Sequence, residues 1–103
     1  MNVASAARRL MRSRLAGLVA ARVANPLFDA HWYRERYRDV PRGWRTFLHW
    51  RRHGWKEGRD PNAVFRTRWY LERYRDVADH GIDPLEHYLR WGSREARSPS
   101  PHF

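Results

Sequence analysis

Two histidines, His49 and His53, stand four residues apart, the spacing that sets two imidazoles on one helical face for a metal ion. A glycine at position 54 follows at once and leaves no room on that helix for a third ligand. In the repeat described below His53 aligns with Trp91, so the pair is not a repeated feature, and His49 and His87 are expected to be half-buried, hydrogen-bonded structural histidines. Glu57 with Arg59, and Glu95 with Arg97, have the composition of an acid/base pair. A reaction does not need two distant copies of one site, so these arginines are expected to bind carboxylates such as Asp39 and Asp76 and hold the chain between helices. Arginines interleave with rings through Trp32-Tyr33-Arg34-Glu35-Arg36-Tyr37-Arg38, a composition shared with readers of single-stranded nucleic acid. On a helix the rings and the arginines separate onto different faces, which is also an ordinary amphipathic helix. Trp44 and Trp55 have the chemistry to stack on a sugar face or to fill a protein interface. There is no Ser-His-Asp order and no glycine-rich phosphate loop. No catalytic, cofactor-binding or metal-binding residue is assigned, and the chain is expected not to be an enzyme.

The elements that carry these residues come from an internal duplication. Phe28, Trp32, Tyr33, Glu35, Arg36, Tyr37, Arg38, Asp39 and Val40 recur 37 residues later as Phe65, Trp69, Tyr70, Glu72, Arg73, Tyr74, Arg75, Asp76 and Val77. After a one-residue shift, Gly43, His49, Arg52, Gly54, Glu57, Arg59, Pro61 and Phe65 recur as Gly81, His87, Arg90, Gly92, Glu95, Arg97, Pro99 and Phe103. These 17 identities compare with about three from composition alone. Each copy reads as two helices. The first spans about 29–38 and again about 67–75, with Asp29 and Thr67 as N-caps and aromatic residues four apart stacked on one face. Trp32, Tyr37, Trp69 and Tyr74 are expected in the core. The second helix of copy two begins at Asp83-Pro84-Leu85-Glu86, an N-cap, a first-turn proline and a capping-box glutamate. It is expected to stop at Gly92 as a left-handed cap, and its counterpart, about 47–53, at Gly54. The fold class is therefore all-α: two tandem helical-hairpin repeats, about four short helices, preceded by a basic N-terminal helix. The domain reading is 1–24 for that helix or tail, 25–61 for the first repeat and 62–103 for the second.

Charge is unevenly spread along the chain. Of a formal net charge of +10, residues 1–24 supply five arginines (Arg8, Arg9, Arg12, Arg14 and Arg22) and no acid, whereas residues 62–103 carry seven bases against six acids. A basic arm of this kind attracts anionic lipid headgroups or nucleic acid. Because 20 of the 21 basic residues are arginine and only Lys56 is lysine, part of the excess reflects codon usage. There is no cysteine, which excludes disulfides and thiolate metal sites, and a reducing cytoplasm is expected.

The repeat resembles a short module of bacterial proteins, most often found at the N-termini of glycosyltransferases of surface-polysaccharide synthesis. The pattern of that module is F-D-x-x-W-Y-L-x-x-Y-P-D-V-A-x-x-G-x-D-P-L-x-H-Y-L-x-x-G-x-x-E-G-R-x-P-S-P-x-F. Copy two carries it as Trp69-Tyr70-Leu71, Tyr74-Arg75-Asp76-Val77-Ala78, Gly81-Ile82-Asp83-Pro84-Leu85, His87-Tyr88-Leu89, Gly92 and Pro99-Ser100-Pro101; copy one as Phe28-Asp29, Trp32-Tyr33, Asp39-Val40 and Glu57-Gly58-Arg59. Arg38 and Arg75 stand where the module has proline, Arg51 where it has leucine, and Ala96 where it has glycine. The transferase domain is missing from these residues. The resemblance implies a pathway rather than a reaction: a non-catalytic adaptor whose partner is a glycosyltransferase or related enzyme. Peripheral contact with an anionic membrane through Arg8, Arg9, Arg12, Arg14 and Arg22 accompanies that expectation. A small basic nucleic-acid-binding protein and a glycan-binding module are the alternatives. The repeat positions Trp32, Tyr33, Tyr37, His49, Arg59, Trp69, Tyr70, Tyr74, His87 and Arg97 are expected to serve the fold, with Trp44, Trp55 and the arginine arm on the interaction surface.

Overall fold

The computed structural model describes residues 25–103; the arginine arm, with the helix expected for it, lies outside the described residues. Within them the protein is all-α, with five helices and no strand. They are α1 (Ala30–Arg36), α2 (Trp44–His49), α3 (Thr67–Arg73), α4 (Arg75–His80) and α5 (Pro84–His87). Both α2 and α5 run on into a wider π-helical turn, Trp50–Gly54 and Tyr88–Gly92.

Side-chain caps set the start of two of the five helices. Asp29 caps α1, its carboxylate accepting the Trp32 N–H at 3.0 Å. Asp83 caps α5, with Pro84 in the first turn and the Leu85 N–H at 2.9 Å. At α3 the expected cap is corrected. Arg66 is the N-cap and Thr67 the first helical residue; the Thr67 N–H is instead received at 2.9 Å by Asp60, seven residues upstream. The Thr67 hydroxyl donates to the Arg59 carbonyl at 2.7 Å, so a connector residue takes over a task usually done locally. Helices α1 and α3 are also shorter than expected, because the chain turns extended at Tyr37 and Tyr74.

The fifth helix, α4, was not expected from the sequence. Copy one has Pro41 where copy two has Ala78. Proline lacks the N–H a helix needs and disfavours helical geometry at the preceding residue, so 38–41 forms only a turn while 75–80 coils. Helix α4 ends at Gly81, whose φ of 65° is left-handed. In copy one Gly43, at φ 72°, opens α2 instead, and that helix starts about a turn before the expected residue 47. Its first turn is held by the buried Thr46, whose hydroxyl donates to the Pro41 carbonyl at 2.7 Å.

The core is a line of rings and aliphatics: Tyr33, Val40, Phe47 and Trp50 from copy one, Phe65, Tyr70, Val77 and Leu85 from copy two. Phe28 packs on Tyr33, Phe47 and Trp50, with centroids 5.2, 5.2 and 6.2 Å away. Phe65 does the same on Tyr70 and Tyr88, at 4.9 and 5.9 Å. The expectation that Trp32, Tyr37, Trp69 and Tyr74 fill the core is corrected. They are half-buried and lean against it, whereas Tyr33 and Tyr70 are the fully enclosed rings. One residue along a helix is a rotation of about 100°, and the tyrosine is the one that faces the second helix.

Candidate functional site

The repeated polar residues assemble into two networks, each present twice. In the first, the Tyr33 hydroxyl meets His49 Nδ1 at 2.9 Å and the Tyr70 hydroxyl meets His87 Nδ1 at 2.8 Å. Burial lowers both histidines below their ordinary value, aided by the nearby Arg59 and Arg97, and burial raises both tyrosines. At neutral pH each pair is therefore uncharged, a phenol and a neutral imidazole joined by one hydrogen bond. Gly54 and Gly92 belong to this network. A Cβ on Gly54 would overlap the Tyr33 hydroxyl, and one on Gly92 would come within 2.5 Å of the Tyr70 hydroxyl. Neither glycine has a positive φ, which corrects the expectation of left-handed caps: glycine is there to admit a phenol.

The widened turn follows from the same crowding. The Trp55 N–H reaches back to the Trp50 carbonyl at 3.3 Å, and the Ser93 N–H to Tyr88 at 2.9 Å, so each final turn spans five residues rather than four. Turns of this type open a helix where something must be inserted or re-aimed.

The second network holds the connectors. Arg59 makes two parallel bonds to Asp39, both 2.8 Å, and its Nε meets Glu57 at 2.9 Å. Arg97 meets Asp76 twice at 2.9 Å and Glu95 at 3.0 Å. Each guanidinium also covers a tyrosine ring, Arg59 over Tyr37 at 4.9 Å and Arg97 over Tyr74 at 4.8 Å. The phenols of those rings accept the Asp60 and Ser98 N–H groups, both at 2.8 Å. The Arg59 guanidinium holds the Asp39 carboxyl down at about 2, and Arg97 lowers Asp76 likewise. With every guanidinium edge and both carboxylates engaged, Glu57/Arg59 and Glu95/Arg97 are clamps on the chain.

Between the copies, a buried carboxylate makes a contact that has no counterpart. Asp83 is 7% exposed. One oxygen caps α5; the other accepts the Trp50 indole N–H at 3.1 Å, with Arg51 Nε at 3.7 Å. Burial raises its pKa above the usual carboxylate value despite these partners. Capping was legible at Asp83; the cross-copy bond was not, although Trp50 and Asp83 both stand where the other copy has a different residue, Tyr88 and Arg45.

The remaining candidates are dispersed. His49 and His53 lie with ring centroids 5.7 Å apart, but His49 Nδ1 is engaged by Tyr33, and among the described residues no three histidine, aspartate or glutamate side chains converge. Trp44, 45% exposed, has the Arg45 guanidinium 5.7 Å from its ring and borders a shallow hollow with Leu48 and His53. Trp55 is elsewhere, half-buried, its indole N–H given to the Arg51 carbonyl at 2.9 Å. It lines a groove of about 830 Å³ between the copies, opposite α5 and its extension, together with Trp91. Trp91 is the site residue that sequence reasoning missed; the mismatch between His53 and Trp91 was its signal.

No protein-family model matches the chain, and no curated protein or solved structure is found similar to it.

Proposed function

We propose that the chain is a non-catalytic helical interaction module, an adaptor that docks on an enzyme of bacterial surface-polysaccharide synthesis. One observation carries the interaction half of this reading. The repeated Tyr–His pairs and Arg–Asp–Glu clusters are absorbed in contacts that hold the fold, twice over, while large apolar side chains stand in solvent: Leu27, Trp44, Val64, Ile82, Trp91 and Phe103 are all more than a third exposed. An active site keeps acids, bases or nucleophiles free for substrate; a docking surface keeps apolar and aromatic groups free for a partner. The pathway half rests on the resemblance of the repeat to the glycosyltransferase-associated module. No described helix is long and apolar enough to cross a membrane, and the reading places the protein in the cytoplasm, with the arginine arm giving peripheral contact to anionic lipid.

The test is site-specific photo-crosslinking in cells, with the reactive residue at Trp44 or Val64. The reading expects a discrete crosslinked species containing a glycosyltransferase or a companion enzyme of the same pathway. Crosslinks to nucleic acid, or to no macromolecule at either position, would overturn it.

A further inference from the structure

The groove between the two copies has a composition unlike the rest of the molecule. Positions that the copies share serve the fold, as the Tyr–His–Gly and Arg–Asp networks show. Several positions that differ between the copies line this groove: Arg51 replaces the Leu89 of copy two, Trp55 replaces Ser93, Glu86 stands against Leu48, and Trp91 against His53.

The chemistry of that surface is specific. Trp91 is 47% exposed; its nearest recorded aromatic neighbour is His87, 5.6 Å away at one side. Trp55 has its polar edge satisfied by the Arg51 carbonyl, which fixes the indole and leaves ring surface as its contribution. Around the rings, hydrogen-bond donors and acceptors alternate. Arg90 Nε lies against Glu86, Arg51 faces Asp83, and Lys56 sits 5.7 Å from the Trp55 ring centroid. Three bases against two carboxylates leave the lining with one net positive charge, and Lys56 is the base without a carboxylate among these pairs. The volume of about 830 Å³ falls inside the usual range for small-ligand sites.

We propose that this groove binds a saccharide bearing a carboxylate, a uronic-acid-type sugar within a short oligosaccharide. Each sugar hydroxyl is both donor and acceptor, so it is matched by guanidinium and carboxylate side by side. The C–H face of a pyranose ring lies flat on an indole, and a single carboxylate answers the one unpaired cation. This goes beyond the adaptor reading and does not rest on it, since the crosslinking positions Trp44 and Val64 lie outside the groove.

The experiment is titration calorimetry, with tryptophan fluorescence, of the full chain against three probes: a galacturonic acid disaccharide, cellobiose, and an oligothymidylate. The acidic disaccharide is expected to bind best, at millimolar strength or tighter, with its advantage over cellobiose shrinking as salt is raised. Trp91→Ala should weaken it by about tenfold or more, a loss of about 1.4 kcal/mol, while melting close to the parent because the ring is exposed. Lys56→Gln should erase the preference for the acidic sugar over cellobiose, and Trp44→Ala should leave both unchanged. The proposal is overturned if neither saccharide binds, if Trp91→Ala binds as the parent does, or if Trp91→Ala weakens the salt-dependent binding of the oligothymidylate more than that of the saccharide.

Discussion

Gly54→Ala puts the account of the Tyr–His–Gly network to its sharpest test. A methyl group there would overlap the Tyr33 hydroxyl and lie 3.2 Å from both Tyr33 Cζ and Trp50 Cε3. Tyr33 and Trp50 are fully buried, so neither ring has solvent to retreat into. Displacing the phenol breaks its bond to His49, about 1 kcal/mol, and forces the core to repack, about 1–3 kcal/mol. Replacing glycine in a helical turn returns about 0.5–1 kcal/mol. The net loss is about 1–3.5 kcal/mol, where a domain of this size holds only about 4–12 kcal/mol. Tyr33→Phe alone should cost about 1 kcal/mol, the hydrogen bond without the overlap. The double variant, with the hydroxyl gone, should be no worse than Tyr33→Phe, because the remaining 3.2 Å contacts need only small adjustments. The two substitutions should therefore couple by about 2 kcal/mol, read from urea denaturation followed by circular dichroism. Additive costs, within about 0.5 kcal/mol, would refute the idea that Gly54 exists to admit the phenol. Gly92→Ala with Tyr70→Phe should give the same sign.

Three further outcomes are expected. Ala96 is the one non-glycine residue with a positive φ among those described, at 58°, and it stands where copy one has Gly58 at 77°; Ala96→Gly should raise stability by about 1 kcal/mol, and a lower melting temperature would show the strain to be absent. Asp83→Asn should destabilise by about 1–3 kcal/mol, because the carboxylate uses one oxygen for the helix cap and the other for the Trp50 N–H, and an amide must turn its NH2 toward one of them; a variant that melts with the parent would remove Asp83 from the joint between the copies. His49 and His87 have folded pKa values below the ordinary 6.5, so as pH falls through that value the unfolded chain takes up protons the folded chain refuses, and stability drops. A second loss follows below about pH 4 as the unfolded counterparts of Asp39 and Asp76 protonate first. Melting temperatures that stay level from about pH 7 to pH 5, or a His87→Gln variant with the parent's slope there, would contradict the neutral Tyr–His pairs.

Much of this protein was determined by short stretches of sequence. The all-α class, the capping of α1 by Asp29, and the Asp83-Pro84 start of α5 were legible because a helix end is decided by hydrogen bonds spanning two or three residues. The bonds of Arg59 to Asp39 and of Arg97 to Asp76 were anticipated although 20 and 21 residues separate the partners, since a pattern written twice marks what both copies need. Local rules failed where a distant group intervened. Thr67 was read as a cap from its own type, yet Asp60 from the connector receives its N–H. Gly54 and Gly92 were read as left-handed caps, but their need for glycine arises from a hydroxyl 21 or 22 positions away in sequence, on α1 or α3. Which ring of Trp32-Tyr33 enters the core depends on where the second helix lies, and helical periodicity fixes only the angle between them. The Trp50–Asp83 bond, spanning 33 residues, and the groove that brings Trp55 opposite Trp91 belong entirely to the packing of one copy on the other, which repeated sequence cannot specify because those residues are the ones that do not repeat.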